Sequence, residues 1–457
     1  MNLEMKGVSG LKVGIVGAGH VGLPTAGALA KLGHQVTVTD TDAPRIEALG
    51  RGEIPFFEPG LQELIVEGIA SGRLSFTTDP APVARESAAV FICVGTPPRA
   101  TGEANLVAVE KSALAVARHA VDSLIVVEKS TVPTGTSDRL AKALARSNPR
   151  ASFELVSNPE FLREGHAVED SLHPARVLVG SDSPEALKVM RELYQPIIDR
   201  GAAYVETDQR TAELAKHACN AYLALKISFA NALARICELS DADVVSVTNV
   251  MGMDPRIGPG HLHAGLGYGG SCFPKDLAAF ERLVERLGYN FPLLGEIKRI
   301  NDEAVTSVFS KIEEVLWNLE EKRVALLGLA FKPGTDDVRF APALALARLL
   351  VDAGAEVVGY DPVANELAAS EVIGLKTAGS VHEALDGAHC AVLCTEWDEF
   401  RTLDMSSARS AMAFPIMIDG RNLYEASDMA DAGFTYVPVG RRSALPVIED
   451  RLLADSL

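Results

Sequence analysis

Short apolar runs and helically spaced apolar residues alternate through the first two hundred positions of the chain. Residues 12–17 (KVGIVG) read as a strand buried on both faces. A Gly-rich turn follows, then an Ala/Leu-rich helix to about Leu32, ended by Gly33. Residues 35–39 make a second strand that closes on Asp40, and further apolar strands fall at 89–94, 124–128 and 154–157. Strands spaced by helical stretches predict βαβ units and a parallel sheet. From about Thr211 to Glu238, Ala, Leu and Ile recur at helical spacing without Gly or Pro, which predicts one long helix between two lobes. A Gly/Pro-rich stretch, 252–274, interrupts the helical region, and helices follow from about Asp276 to Leu319. The α/β pattern then restarts. A strand at 322–328, a helix at 341–353, a strand at 355–360 ending on Asp361, and strands at 388–395 and 415–419 echo the first lobe. The tail beyond about Arg441 has weak periodicity and reads as loosely held.

Composition narrows the class. The 457 residues are enough for two or three domains, and 47% hydrophobic with 23% charged residues is an ordinary globular balance. A net charge of −18 argues against nucleic acid or an anionic membrane as partner. No apolar run approaches the ~18 residues of a spanning helix. The opening residues, MNLEMKGVSG, lack the apolar core of a signal peptide. Six sparse cysteines fit reduced thiols better than a disulfide framework, so a cytoplasmic location is expected.

The first turn carries the first chemistry. Gly17-Ala18-Gly19-His20-Val21-Gly22 follows a strand and opens a helix. Gly17 permits the tight turn, Gly19 lets backbone approach a pyrophosphate, and Gly22 lets helix and strand pack closely. The helix N-terminus offers N–H donors and a positive dipole to phosphates. Asp40, 23 positions after Gly17, can accept hydrogen bonds from a ribose diol and favours NAD over NADP, although Arg45 lies close enough to blur that preference. In the second lobe Gly328-Leu329-Ala330-Phe331-Lys332 lacks the glycine triplet, so a different ligand group is expected there. The fold class is α/β, with two Rossmann-like doubly wound domains joined by a long central helix and a helical middle domain.

The segment GLGYGGSCFPKD, residues 265–276, places four glycines in six residues ahead of Ser271 and Cys272. Cys272 stands near a helix start at Pro274 and Asp276, where a thiol pKa can fall. Taken alone, a small buried cysteine is the commoner fate. Lys216 and Asn220 share a helix face at i, i+4 spacing, which fits a cleft or a solvated face. In a cleft the Lys could hold an oxyanion and the Asn could orient a hydroxyl or water. Residues 158–165 (NPEFLREG) follow a strand end, where ligands of open α/β sheets bind. There Glu160 and Glu164 could serve as base or amide acceptor, or the segment could be a capped surface turn. Thr131, in KSTVP, could place water or substrate, or simply cap. Arg256 and Arg421 each sit in a turn after an Asp, as phosphate donors or surface ion pairs. Cys390, Cys394 and His389 read as core packing, and no metal site is expected.

These segments together closely resemble the UDP-glucose/GDP-mannose dehydrogenase family, from about Lys12 to Tyr424. GAGHVGLP, FICVGTPP, KSTVPTGT, NPEFLREG, ELAKHACNAYLALKISFANALARI, GMDPRIGP, GLGYGGSCFPKD, GLAFKPGTDDVR and IDGRN carry the resemblance. It implies an N-terminal NAD-binding Rossmann domain over 1–205 and a central helical, dimerising domain over 206–315. A C-terminal UDP-sugar-binding Rossmann-like domain would then cover 316–457. It implies NAD contacts at Gly17, Gly19, Val21, Gly22, Asp40, Arg45, Thr96, Thr131, Glu164 and Arg339. The nucleotide sugar would meet Phe161, Leu162, Lys216, Asn220, Arg256, Tyr268, Gly269, Phe331, Lys332 and Arg421, with Arg256 supplied by the partner of a homodimer. Cys272 would attack the C6 aldehyde. Lys216 and Asp276 would serve the first oxidation and steady the oxyanion, with Asn220 binding oxygen. Glu160 with Thr131 would place the hydrolytic water. The Cys272 loop matches the UDP-glucose branch; the N-acetylmannosamine branch has a His before its Cys where this chain has Ser271. His263 stands where some members carry a Lys near the uridine nucleotide.

The implied reaction takes UDP-glucose to UDP-glucuronate in four electrons. An alcohol can be oxidised to an aldehyde directly, but the second oxidation needs a tetrahedral carbon that still bears hydrogen. A thiolate supplies one as a thiohemiacetal, whose oxidation leaves a thioester for water. TDP-glucose, UDP-GlcNAc and GDP-mannose are alternative substrates. A β-hydroxyacid dehydrogenase of the 6-phosphogluconate type would need neither Cys272 nor a second α/β lobe. A nucleotide sensor would not need Cys272, Lys216, Asn220, Glu160 and Asp276 together.

Overall fold

The computed structural model describes residues 10–446. The first nine residues, where no signal peptide is expected, and the end of the tail, expected to be loosely held, lie outside them. The chain forms two compact units. Among the described residues, one runs to Asn220 and adds Lys275–Asn290; the other comprises Ala221–Pro274 and continues from Phe291.

The first unit is built on strands β1 (Lys12–Val16), β2 (Gln35–Thr39), β3 (Leu74–Thr77), β4 (Ala89–Ile92), β5 (Ser123–Glu128), β6 (Ser152–Ser157), β7 (Arg176–Gly180) and β8 (Ala203–Thr207). They form one sheet in the order β3-β2-β1-β4-β5-β6-β7-β8. All neighbours are parallel except β6 and β7, which meet antiparallel at Ser157 and Gly180. The apolar runs follow from helices covering both faces. Ile15, Phe91 and Val127 enter one core, while Val16, Ile92 and Val126 enter the core on the opposite face. The strand order reverses between β1 and β4, and open α/β sheets bind ligands beyond the carboxyl ends at such a reversal. Gly17, Thr96, Thr131 and Glu160 follow the carboxyl ends of β1, β4, β5 and β6 respectively.

The second unit carries β9 (Arg323–Leu327), β10 (Glu356–Tyr360), β11 (Leu375–Thr377), β12 (Cys390–Leu393), β13 (Ile416–Asp419) and β14 (Thr435–Pro438). These form an all-parallel sheet in the order β11-β10-β9-β12-β13-β14, the same winding as the first six strands of the other sheet. Cys390 and Val392 face one core, and Ala391 and Leu393 the other.

The long helix spans Gln209–Ser240, slightly beyond the expected bounds. The helical stretch expected from Asp276 to Leu319 is two helices, Phe273–Arg286 and Pro292–Leu316, broken at the Gly288 turn. Another helix, Val244–Met253, reaches into the stretch expected to interrupt the helical region. The strand expected at 388–395 is confined to Cys390–Leu393: β9 ends at Leu327, whose carbonyl accepts from both Cys394 N and Thr395 N. Five strands were not legible: β3, β7, β8, β11 and β14. β8 is largely exposed and β11 has three residues, so neither carries an apolar run. Near the start of the tail, Tyr436 and Ala444 exchange backbone hydrogen bonds, so the chain stays tied down past Arg441.

Candidate active site

In the first unit, β1 turns at Gly17 with φ +106° and the helix Gly22–Lys31 begins. A Cβ at Gly22 would lie 1.9 Å from the Gly17 carbonyl oxygen, whereas one at Gly19 would meet nothing within 4 Å. The turn therefore packs against itself at Gly22 and stays open at Gly19, where a pyrophosphate would approach. No side chain caps this helix and its first turn holds no acidic residue. By contrast, Asp42, Asp79, Ser183 and Asp243 cap other helices. An uncapped N-terminus leaves N–H groups for an anion. Asp40 accepts from Ala18 N at 2.8 Å and Asp42 N at 3.0 Å. Arg45 Nη1 is 3.9 Å from Asp40 and Nη2 3.5 Å from Asp42. These residues fit a dinucleotide: open backbone at Gly19, a helix start without a side-chain cap and a carboxylate at the next strand end.

Beyond the neighbouring strand ends lies a buried polar group of side chains. Lys216 Nζ is 3.0 Å from Glu160 Oε1, with both side chains more than nine-tenths buried. Glu160 Oε2 accepts from Leu162 N at 2.6 Å, so the carboxylate also shapes its own loop. Phe161 lies between two cations: Arg176 is 3.8 Å and Lys216 Nζ 5.2 Å from its ring centroid. Asn220 Nδ2 donates to Asp276 Oδ2 at 2.6 Å, and Lys275 Nζ donates to Asp276 Oδ1 at 2.5 Å. Burial opposes ionisation of Asp276, but Lys275, His217 and Lys216 outweigh it and hold its carboxyl below the usual range. Lys275 also donates to Thr96 Oγ1 at 3.3 Å, and Thr96 donates to Thr131 O at 3.0 Å. Lys216 and Asn220 therefore do not form a solvated face. His217, one residue on, is turned to Val132 O, and burial lowers its pKa.

Three residues here escaped sequence reasoning. Lys129 is buried and donates to Asn158 Oδ1 at 3.1 Å, and burial lowers its pKa. Tyr194 OH shares that Asn158 oxygen at 2.7 Å. Glu213 accepts from Gly135 N, Ser137 N and Ser137 Oγ, holding the start of the Thr136–Ser147 helix just after Thr131. Glu213 and Lys216 are i, i+3 on one helix, the one signal that could have flagged Glu213.

In the second unit, Gly269 and Gly270 lie against the loop after β9, whereas Gly265 and Leu266 meet Gly420 after β13. Gly270 N donates to Arg339 O at 2.9 Å, and its φ of +80° sets its backbone against the Phe331 ring. Tyr268 N donates to Asn301 Oδ1, and the Tyr268 ring meets Phe273 edge-on. Cys272 is half-buried, with Ser271 Oγ 3.7 Å from its sulfur, and directly precedes the helix Phe273–Arg286. Arg339 donates to the buried Asp337 through Nε at 2.8 Å and Nη2 at 2.7 Å. Arg421 Nε donates to Cys394 O at 2.6 Å and is 3.5 Å from Glu396, at the carboxyl end of the sheet. Arg256 pairs with its neighbour Asp254 and is largely exposed, as is His263. Among the described residues no cluster of three or more His, Cys, Asp or Glu could hold a metal. Cys390 and Cys394 are buried, and burial raises both thiol pKa values.

An uncapped dinucleotide turn with buried acid–amine groups beyond the strand ends fits an NAD-linked oxidoreductase. The chain belongs to the UDP-glucose/GDP-mannose dehydrogenase family: its NAD binding domain matches residues 11–198, its central domain 210–303 and its UDP binding domain 325–426. UDP-glucose 6-dehydrogenase of Rhizobium meliloti is 42% identical over 435 residues, covering 94% of this chain and 100% of that one. The Pseudomonas aeruginosa enzyme of the same name is 41% identical over 445 residues, covering 95% and 98%. Among solved structures, a UDP-glucose dehydrogenase from Pyrobaculum islandicum superposes with TM-score 0.90 at 36% identity, covering 96% of this chain and all of that one.

Proposed function

We propose that the chain is a UDP-glucose 6-dehydrogenase that oxidises UDP-glucose to UDP-glucuronate. The observation that carries this reading is the buried Lys216–Glu160 pair at 3.0 Å beyond the strand ends of a dinucleotide sheet. An ion pair so buried is costly to keep for stability alone. NAD, when bound at Gly17, Gly19, Val21, Gly22, Asp40, Arg45, Thr96, Thr131, Glu164 and Arg339, supplies the electron acceptor.

The chain's own residues do the rest. Lys216, Asn220 and Asp276 hold the C6 oxygen, and Lys216 stabilises it when it carries negative charge. Cys272 Sγ adds to the aldehyde carbon and holds it first as a thiohemiacetal, then as a thioester. Glu160 with Thr131 draws a proton from the attacking water and releases the acid. Phe161, Leu162, Arg256, Tyr268, Gly269, Phe331, Lys332 and Arg421 bind the nucleotide sugar. The division into residues 1–205, 206–315 and 316–457 assigns NAD, dimerisation and UDP to successive stretches.

We further propose a homodimer. Tyr222, Phe229 and Ile236 lie seven residues apart on the long helix and are all exposed, with Val250 and Met253 exposed on the next helix. Seven residues are two helical turns, so the three share a face. A cytoplasmic location fits six free thiols and the lack of any helix among the described residues long and apolar enough to cross a membrane.

A panel of UDP-glucose, TDP-glucose, UDP-GlcNAc and GDP-mannose with NAD tests the substrate. UDP-glucose should give the largest kcat/KM; faster turnover of another sugar would reassign it. Light scattering should give twice the chain mass, falling to one on Phe229→Glu.

A further inference from the structure

Residues 54–60 (IPFFEPG) join the helix Ala43–Gly50 to the helix Leu61–Ala70. This short connection grips two functional loops of the first unit at once. The Phe56 ring stacks on His20 of the dinucleotide turn, with centroids 4.0 Å apart and planes 19° from parallel. Two residues on, the buried Glu58 carboxylate reaches a segment more than a hundred positions away. Its Oε2 accepts from Gly165 N at 2.7 Å and its Oε1 from Ala167 N at 2.8 Å. Gly165 closes the stretch that carries Glu160, Phe161, Leu162 and Glu164. Ala167 begins the helix Ala167–Leu172, which packs on the dinucleotide helix Gly22–Lys31. The Glu58 backbone is fixed as well, because its carbonyl accepts from Leu61 N at 3.1 Å. Pro55 and Pro59 stiffen the chain on either side.

We propose that Glu58 is a positioning residue for the nucleotide-sugar loop, and that the Phe56–Glu58 segment ties that loop to the dinucleotide turn. The proposal rests on the assignment of Glu160, Phe161 and Leu162 to the sugar and its oxidation. Two charge-assisted hydrogen bonds from one carboxylate fix the loop in two directions. The Glu160 carboxylate and the Leu162 amide are set by the same loop, so a shift at Gly165 is felt at both. Displacements of about 1 Å remote from the reacting atoms can cost about a hundredfold in rate.

The test uses the full chain with NAD and UDP-glucose, comparing wild type with Glu58→Ala, Glu58→Gln and Phe56→Ala. Failure of the wild type to turn over UDP-glucose would remove the assigned activity itself; the variants are read only against an active wild type. Glu58→Ala should lower kcat/KM for UDP-glucose about 30-fold. It should leave the NADH dissociation constant, measured by fluorescence without sugar, within about twofold. Glu58→Gln keeps one acceptor for one of the two N–H groups and should recover most of the loss, to within about fivefold of wild type. Phe56→Ala should weaken NADH binding and raise KM for UDP-glucose together. A merely structural Glu58 would lower melting temperature and both ligand affinities in parallel, and that pattern overturns the proposal. So does a folded Glu58→Ala with sugar kinetics within threefold of wild type. Should Glu58→Ala not fold, Glu58→Gln and Phe56→Ala decide: wild-type sugar kinetics in both would overturn it.

Discussion

The six-stranded sheet repeats the winding and the sequence rhythm of the first six strands of the eight-stranded one, yet only the eight-stranded sheet has a turn fit for a dinucleotide. In both, the residue after the first strand is a glycine with positive φ, Gly17 and Gly328, bonded back to the end of the next strand at Thr39 and Tyr360. In both, that strand ends on an aspartate. The difference lies in what the aspartate does. Asp40 keeps part of its carboxylate exposed and takes one N–H from the turn. Asp361 is fully buried and accepts from Leu329, Ala330, Val363 and Ala364 N, with Trp397 Nε1 at 3.3 Å. The donors that would meet a phosphate are thus satisfied from inside. The connection after β1 is residues 17–21, whereas after β9 residues 328–341 intervene before the helix Pro342–Asp352. That longer loop carries Phe331, Lys332 and Arg339, polar and aromatic groups suited to a different ligand. One repeated scaffold therefore holds two chemistries, separated by loop length and by whether the strand-end aspartate faces outward or inward.

The largest expected effect tests the chemistry this scaffold serves. Cys272→Ser should cut acid formation by at least about a thousandfold while NADH binding to the first sheet is unchanged. Acid production at the wild-type rate would remove the covalent route. Next, Asp361→Ala should lower unfolding free energy by about 3–5 kcal/mol, because several buried N–H groups lose their acceptor, without changing the NADH dissociation constant. An altered NADH affinity would mean that the second sheet is a dinucleotide site after all. Asp40→Ala should do the reverse. It should weaken NADH about tenfold and narrow the preference over NADPH, with a smaller cost in stability. Equal behaviour of the two aspartate variants would break the comparison.

A separate effect, on stability alone, concerns pH. Burial raises the Glu128 carboxyl to about 8, and its Oε2 has no hydrogen-bond partner among the described residues. The folded pKa exceeds the unfolded value, so this group's contribution to stability is full in acid and is lost as pH rises through about 8. Denaturant titrations from about pH 5 to 9 should show wild type losing up to a few kcal/mol relative to Glu128→Gln. Parallel curves would show that Glu128 does not titrate in this window.

Local signals were legible where chemistry and pattern coincide along the chain. β1, the Gly17–Gly22 turn and Asp40 lie within one strand–turn–helix–strand stretch, and the cysteine loop is marked by its glycines. Lys216 and Asn220 were visible as a pair at i, i+4, but their partners were not. Glu160 is 56 positions before Lys216, and Asp276 is 56 after Asn220. Only the tertiary fold joins them and excludes the solvated-face alternative. Lys129 was hidden because a Lys after an apolar strand looks like a solvated end. Asp361 and Asp40 looked equivalent in the sequence; which backbone each would bond was set by a loop conformation no periodicity reports.

The central claim is a four-electron oxidation completed on Cys272. The most direct measurement is the NADH formed per UDP-glucose consumed, taken to completion with excess NAD. The account predicts a ratio of two with UDP-glucuronate as product; a ratio of one, with an aldehyde left behind, would contradict it.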